Sequence, residues 1–153
     1  MPKCVDVLLV TLVSPIQIGI YEDNKLIDKI VSKEKSSDFL PLIFEELFKK
    51  YEIKGLFYAN GPGSFMAIKV AYIFLKSLSV MKKIPLYATD AFYFNENRPI
   101  KAIGKLHFVK VASEIKTEKL AQIEETDFKL PDLLNIRDFS KTATPLYGIG
   151  AVG

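Results

Sequence analysis

The spacing of hydrophobic residues changes along the chain, and each change marks an element. Val5 to Val13 is almost continuously apolar, interrupted only at Asp6 and Thr11, as expected of a central strand covered on both faces. Ser14-Pro15 breaks the run. Ile16 to Tyr21 then alternates with period two, the pattern of a strand with one buried face. After the polar turn Glu22-Asp23-Asn24-Lys25, a third strand is predicted over Leu26 to Ser32. Short links between successive strands imply an antiparallel meander. The rhythm next becomes helical. Ser36, Ser37 and Asp38 are residue types that cap helix N-termini. Leu40, Ile43, Phe44, Leu47 and Tyr51 form one stripe, with Glu45, Glu46 and Lys49 opposite. Leu56 to Ala59 predicts a short strand and Asn60 to Ser64 a tight turn. A second helix is expected from about Phe65 to Lys83, stopped by Pro85 and followed by a strand over Leu86 to Ala88.

Beyond Asp90 the periodicity is weaker. Asn95 to Pro99 is a polar connector. Leu106 to Val111 and Glu118 to Glu124 predict two strands joined around Lys116-Thr117, and Leu133 to Phe139 fits neither period. The tail from Pro145 to Gly153 is Gly-rich, with an apolar centre at Leu146-Tyr147. The order strand, strand, strand, helix, strand, helix, strand predicts an α/β chain on a ribonuclease-H-like core, the unit from which actin-like domains are also built. This places an N-terminal lobe over residues 1–95 and a shortened C-terminal lobe over 96–153.

The second helix carries more apolar surface than one sheet contact requires. At 100° per residue, Lys69, Lys76 and Lys83 share a stripe, and Ala67, Ala71, Phe74, Leu75 and Leu78 lie opposite, facing the sheet. Ile73 and Val80 fall close beside the lysines, where a surface helix is ordinarily polar, and Met66 lies on the same flank. The first helix repeats this more mildly. Leu42 sits among Glu45, Glu46 and Lys49, with Phe39 and Phe48 at the edges of the buried stripe. Two readings stand: the second lobe packs over these residues, or a protein partner does.

Composition narrows the function classes. With 153 residues, 49% hydrophobic and 25% charged, the chain suits one globular domain or a domain with a reduced second lobe. A formal charge of +3, with both signs interspersed, does not argue for nucleic acid. A lone cysteine, Cys4, can form neither an internal disulfide nor a cysteine metal site, which fits a cytoplasmic setting. The apolar run near the N-terminus is far short of the ~20 residues a membrane span needs, so no membrane association is expected.

Candidate chemistry is sparse. Gly61-Pro62-Gly63-Ser64 leads into a helix N-terminus, which can hold an anion, but it lacks the spacing of the known phosphate-binding loops. A tight turn with Ser64 as N-cap is the simpler reading. An actin-like phosphotransferase needs a carboxylate in the first strand, where this chain has Thr11, followed by Leu12-Val13 without a glycine. That leaves room only for weak nucleotide binding. A nuclease needs converging carboxylates, and Asn60, Glu45 and Glu46 do not converge. A peptidase built on Ser64 would need a histidine, and His107 stands far along the chain in an alternating strand. His107 with Cys4 falls short of a zinc site. The helix lysines suit a solvated face better than base recognition.

Asn60-Gly61-Pro62-Gly63-Ser64-Phe65, with Lys69 and the downstream Ile84-Pro85-Leu86, resembles the signature of the TsaB (YeaZ-like) family, Gly-Arg-Gly-Pro-Gly-Ser-Phe-Thr-Gly-x-Arg. Gly61, Pro62, Gly63, Ser64 and Phe65 match it directly. Asn60, Met66-Ala67 and Lys69 replace its first Arg, its Thr-Gly and its later Arg. The likeness covers about residues 5 to 90, and Pro145-Leu146-Tyr147 resembles a Pro-x-Tyr element near the family's C-terminus. The resemblance implies an actin-like fold and a non-catalytic scaffold role in tRNA threonylcarbamoyladenosine formation. Such a subunit pairs with a catalytic TsaD-like subunit through its two N-terminal helices, a TsaE-like ATPase docks on the pair, and tRNA is met indirectly through the complex. It implies no cofactor for this chain. It would assign partner binding to Ile73, Val80, Met66, Phe39 and Leu42, a surface equally suited to homodimerisation, and the helix-setting turn to Gly61 through Phe65.

Overall fold

The computed structural model describes residues 2–102, 104–121 and 127–147. Strands β1 (Lys3–Val10), β2 (Ile16–Glu22) and β3 (Lys25–Ser32) form the expected meander. Helix α1 (Ser36–Lys50), β4 (Tyr51–Ala59), α2 (Phe65–Lys82) and β5 (Leu86–Thr89) follow. The five strands make one sheet in the order β3-β2-β1-β4-β5. Strand β2 is antiparallel to both neighbours, whereas β4 runs parallel to β1 and to β5. This is the arrangement predicted from the order of elements. A second, three-stranded antiparallel sheet contains β6 (Ile100–Lys101), β7 (Leu106–Val111) and β8 (Glu114–Lys119).

The pleat of the central sheet sorts its side chains into two cores. On one face Val5, Val7, Leu9, Ile18, Ile20, Leu56 and Tyr58 pack against Leu40, Phe44 and Leu47 of α1 and Ala71 and Leu75 of α2. The Phe44 and Phe74 rings meet edge to face, 5.3 Å apart, and tie the two helices together. On the other face Leu8, Val10, Phe57 and Ala59 pack against Phe92, Phe94, Ile100, Phe108, Leu130, Leu134 and Phe139. Side chains from beyond residue 95 therefore complete the second core. Three of these long returns also bond backbone to backbone: Leu26 N–H donates to Asp132 O, Leu134 N–H to Asn24 O, and Ser140 N–H to Ala88 O.

Several local expectations are corrected. The α1 N-cap is Lys35, without a side-chain bond, because the helix already starts at Ser36 and takes both serines and Asp38 into its first turn. Tyr51 is extended and opens β4, which thus starts five residues before Leu56. Its ring joins the same core from the strand. The β7–β8 hairpin turns at Ala112-Ser113, with Ala112 at φ 57°, so Lys116 and Thr117 lie within the strand opposite Val109 and Phe108. Residues 122–124 of the predicted strand and 148–153 of the tail lie outside the described residues. On α2 the buried row is Ile68, Ala71 and Leu75, while Ala67, Phe74 and Leu78 are half-buried. The helix is rotated so that Ile68 reaches the second core.

Asp6 is the carboxylate inside the sheet. The β1–β4 register shifts between Val5 and Asp6, and Gly55 leaves the space its carboxylate fills. A Cβ on Gly55 would stand 2.5 Å from Asp6 Oδ1. Burial raises the Asp6 pKa above its usual 3.8, and the Lys54 ammonium, 3.8 Å away, opposes the shift. With the folded value raised, the folded chain holds the extra proton as pH rises from 3.8, so stability falls through that window. Asp6→Asn is expected to be more stable than the parent at pH 7, with a flatter stability profile above pH 4. Urea denaturation across that range provides the measurement.

Candidate partner-binding interface

The turn between β4 and α2 is fixed by contacts from three distant parts of the chain. Asn60 N–H donates to Thr89 O at 3.0 Å, and Ala91 N–H donates to Gly61 O at 2.8 Å. From the C-terminal segment, Leu146 N–H donates to Asn60 O at 2.7 Å, and Asn60 Nδ2 donates to Thr144 O at 2.9 Å. The Tyr58 hydroxyl, buried under the same segment, donates to Ala143 O. Burial raises the Tyr58 pKa, so it remains a protonated donor. The Gly61–Pro62 peptide is cis and Gly61 sits at φ 122°, where an L side chain is strained. A Cβ there would come within 1.8 Å of Leu146 O. Gly63 packs on Leu12, and the Phe65 ring meets Tyr147 edge to face at 5.2 Å. The backbone strap 143–147 was legible in the sequence only through the apolar pair Leu146-Tyr147 and the Pro145-x-Tyr147 element that contains it.

Ser64 caps α2, its Oγ accepting from Ala67 N–H at 3.4 Å. From this start Met66, Ile73 and Val80 project along one row, seven residues apart, and none is covered. Met66 is 70% exposed, Ile73 54% and Val80 66%. Half-buried Val70 and exposed Ser77 fall between them, completing a four-three spacing like the seam of a coiled coil. Ser77 Oγ turns back to donate to Ile73 O at 2.7 Å, so a small hydroxyl interrupts the apolar row. Leu42 of α1 is 64% exposed, while Phe39 is half-buried against the core. Phe108, Leu130, Leu134 and Phe139 pack on the opposite face of the sheet from α1 and α2, and Ala143 and Tyr147, which do reach the helix side, leave this row open. The sequence reading passed over Met81, which is fully as exposed as Met66. Its place one residue after Val80, at the apolar end of a helix, was the available signal. Lys69, Lys76 and Lys83 are all exposed beside the row.

The residues of the rival chemistries stay apart. Thr11 is buried just past β1. His107 is buried in β7, its Nδ1 2.9 Å from Lys105 O, and serves that turn. Glu45 is exposed and pairs with Lys49 at 3.7 Å. Among the described residues no three His, Cys, Asp or Glu side chains gather where they could hold a metal. Among the described residues no helix is long and apolar enough to cross a membrane.

No protein-family profile and no curated protein matches the chain. Solved structures do. YeaZ from Pseudomonas aeruginosa superposes with a TM-score of 0.59 at 12% identity, over 76% of this chain and 64% of that one. An uncharacterized protein with similarity to peptidase YeaZ from the same organism gives 0.53 at 13% identity, with the same coverage. The chain thus spans just under two thirds of the length of either. The likeness establishes the fold: an α/β, actin-like (ribonuclease-H-like) core.

Two substitutions test how the turn and helix are held. Gly61→Ala is expected to cost roughly 3 kcal/mol, through forced backbone geometry and displacement of Leu146. Lys83 ends α2 in a left-handed conformation at φ 56°, so Lys83→Gly is expected to stabilise by about 0.5–1 kcal/mol. Chemical denaturation reports both.

Proposed function

We propose that this chain is a TsaB-like scaffold subunit that pairs with a catalytic TsaD-like subunit in tRNA threonylcarbamoyladenosine formation. The observation that carries the proposal is the open apolar row Met66, Ile73 and Val80 on α2, with Leu42 on the neighbouring helix. An exposed apolar seam with coiled-coil spacing on a rigidly anchored helix is the surface a partner helix packs against. The match of Gly61 through Phe65 to the TsaB signature and the YeaZ-like fold support the choice of a TsaD-like partner. In this role the chain performs no catalysis and needs no cofactor. Its contribution is to hold the catalytic subunit's helices in place, and a TsaE-like ATPase docks on the assembled pair. tRNA is bound by the complex, with exposed Lys69 and Lys76 available for phosphate contact at its edge.

The test is a pull-down with the TsaD-like subunit of the same cell, joined to a reconstituted tRNA modification assay. Ile73→Glu and Val80→Glu are each expected to abolish pairing and chain-dependent modification. Because both side chains are exposed, folding stability is expected to change by less than ~0.5 kcal/mol. Pairing that survives both charges, or modification that proceeds without this chain, overturns the proposal. Loss of a homodimer alone would instead assign the row to self-association.

A further inference from the structure

On the face of the sheet opposite the helices, a cleft of about 670 Å³ opens between the β1–β2 link, the N-terminus of α2 and the segment around Phe128. Its floor is the polar side of the β2–β3 hairpin, where Gln17 lies opposite Val31 and Lys29 opposite Gly19. Two of the residues that line the cleft each carry a buried acceptor without a partner. Gln17 is 8% exposed and Asn95 2%, and both line the cleft. Each has already committed its amide N–H. Gln17 Nε2 donates to Phe128 O at 2.7 Å, and Asn95 Nδ2 donates to Arg98 O at 3.0 Å. These bonds orient the amides, so Gln17 Oε1 and Asn95 Oδ1 are left as buried acceptors without a donor. A buried acceptor of this kind is destabilising until a donor arrives.

The charge around these acceptors is positive. Among the described residues, Lys29, Lys101 and Lys129 line the cleft against a single carboxylate, Asp127, a formal charge of two positive. No carboxylate of the described residues lies within ion-pair distance of any of the three ammonium groups. Gly63 and Ser64 bring the start of the 18-residue helix α2 to the rim, and its first turn contains no acidic residue to balance the dipole. A carboxylate would neutralise half of that charge. A phosphate monoester, at about −1.5 to −2 near neutral pH, matches it. Hydroxyl or amino donors on the same ligand would satisfy the two orphan oxygens.

We infer that this cleft binds a small phosphate monoester carrying hydroxyl groups, of the size and kind of a sugar phosphate. The phosphate lies toward the lysines and the α2 N-terminus, and hydroxyls donate to Gln17 Oε1 and Asn95 Oδ1. The site lies across the sheet from the proposed pairing row and does not depend on it.

The test is an NMR titration of the isotope-labelled full chain with ribose 5-phosphate, inorganic phosphate and ribose as separate probes. The side-chain amide signals of Gln17 and Asn95 and the backbone amides of Ser64 and Phe65 are expected to shift together with ribose 5-phosphate. That probe is expected to bind about tenfold or more tightly than either fragment. The double variant Lys101→Ala, Lys129→Ala changes only exposed side chains and is expected to weaken binding about tenfold while leaving the remaining spectrum intact. Lys29→Ala, in the β2–β3 floor of the cleft, provides an independent second variant with the same expected direction. The inference is overturned if millimolar ribose 5-phosphate produces no shifts, or if inorganic phosphate binds equally well. It is also overturned if none of the lysine variants weakens binding, or if a resident water satisfies both amide oxygens with no response to ligand.

Discussion

The structure turns on the contact between the backbone at Leu146 and the turn at Asn60-Gly61. One short hydrogen bond, from Leu146 N–H to Asn60 O, and one missing side chain, at Gly61, let two segments some 85 residues apart lie against each other. Asn60 reinforces the contact through its side chain, and the Tyr58 hydroxyl anchors the same strap from below. The turn is thereby held in a conformation that few sequences could adopt. Because it launches α2, the helix inherits that rigidity, and so do the surfaces at both of its ends.

A helix anchored in this way can afford an apolar outer row. In a mobile element, exposed Met66, Ile73 and Val80 would be an aggregation hazard. Fixed by Ala71 and Leu75 in the core and by the Phe44–Phe74 ring contact, they form a pre-ordered surface that pays little entropy on association. The N-terminal end of the same helix reaches the rim of the lysine-lined cleft on the far side of the sheet. One turn thus sets the geometry of a hydrophobic surface and of a polar one, and the five-stranded sheet separates them.

Packing from beyond β5 completes this arrangement. The central sheet has two apolar faces, and the helices cover only one. The second is closed by Phe92, Phe94, Phe108, Leu130, Leu134 and Phe139, supplied by short strands, turns and irregular backbone. Irregular segments must satisfy their polar groups individually, and here they do so by bonding to strand ends: Asp132 to Leu26, Asn24 to Leu134, Ala88 to Ser140. Tyr21 contributes similarly, its hydroxyl donating to Pro131 O at 2.7 Å.

The order of the first seven elements, the composition of the helix-facing core and the Ser64 cap were determined by the sequence alone, because each follows from local periodicity or a local hydrogen bond. So was the excess of apolar surface on α2, since a 100° repeat shows what one sheet contact cannot cover. Even there, the exact boundaries moved. Tyr51 suits the stripe of α1 and the edge of β4 equally well, and only pairing with β1 decides between them. The tertiary structure alone decided that Ile73, Val80, Met66 and Leu42 stay open while Ile68 turns inward, because that depends on which face the C-terminal half packs against. It also brought Leu146 to Gly61, and Gln17 and Asn95 to one cleft with three lysines. Such meetings are set by chain path across dozens of residues, and no spacing within the sequence encodes them.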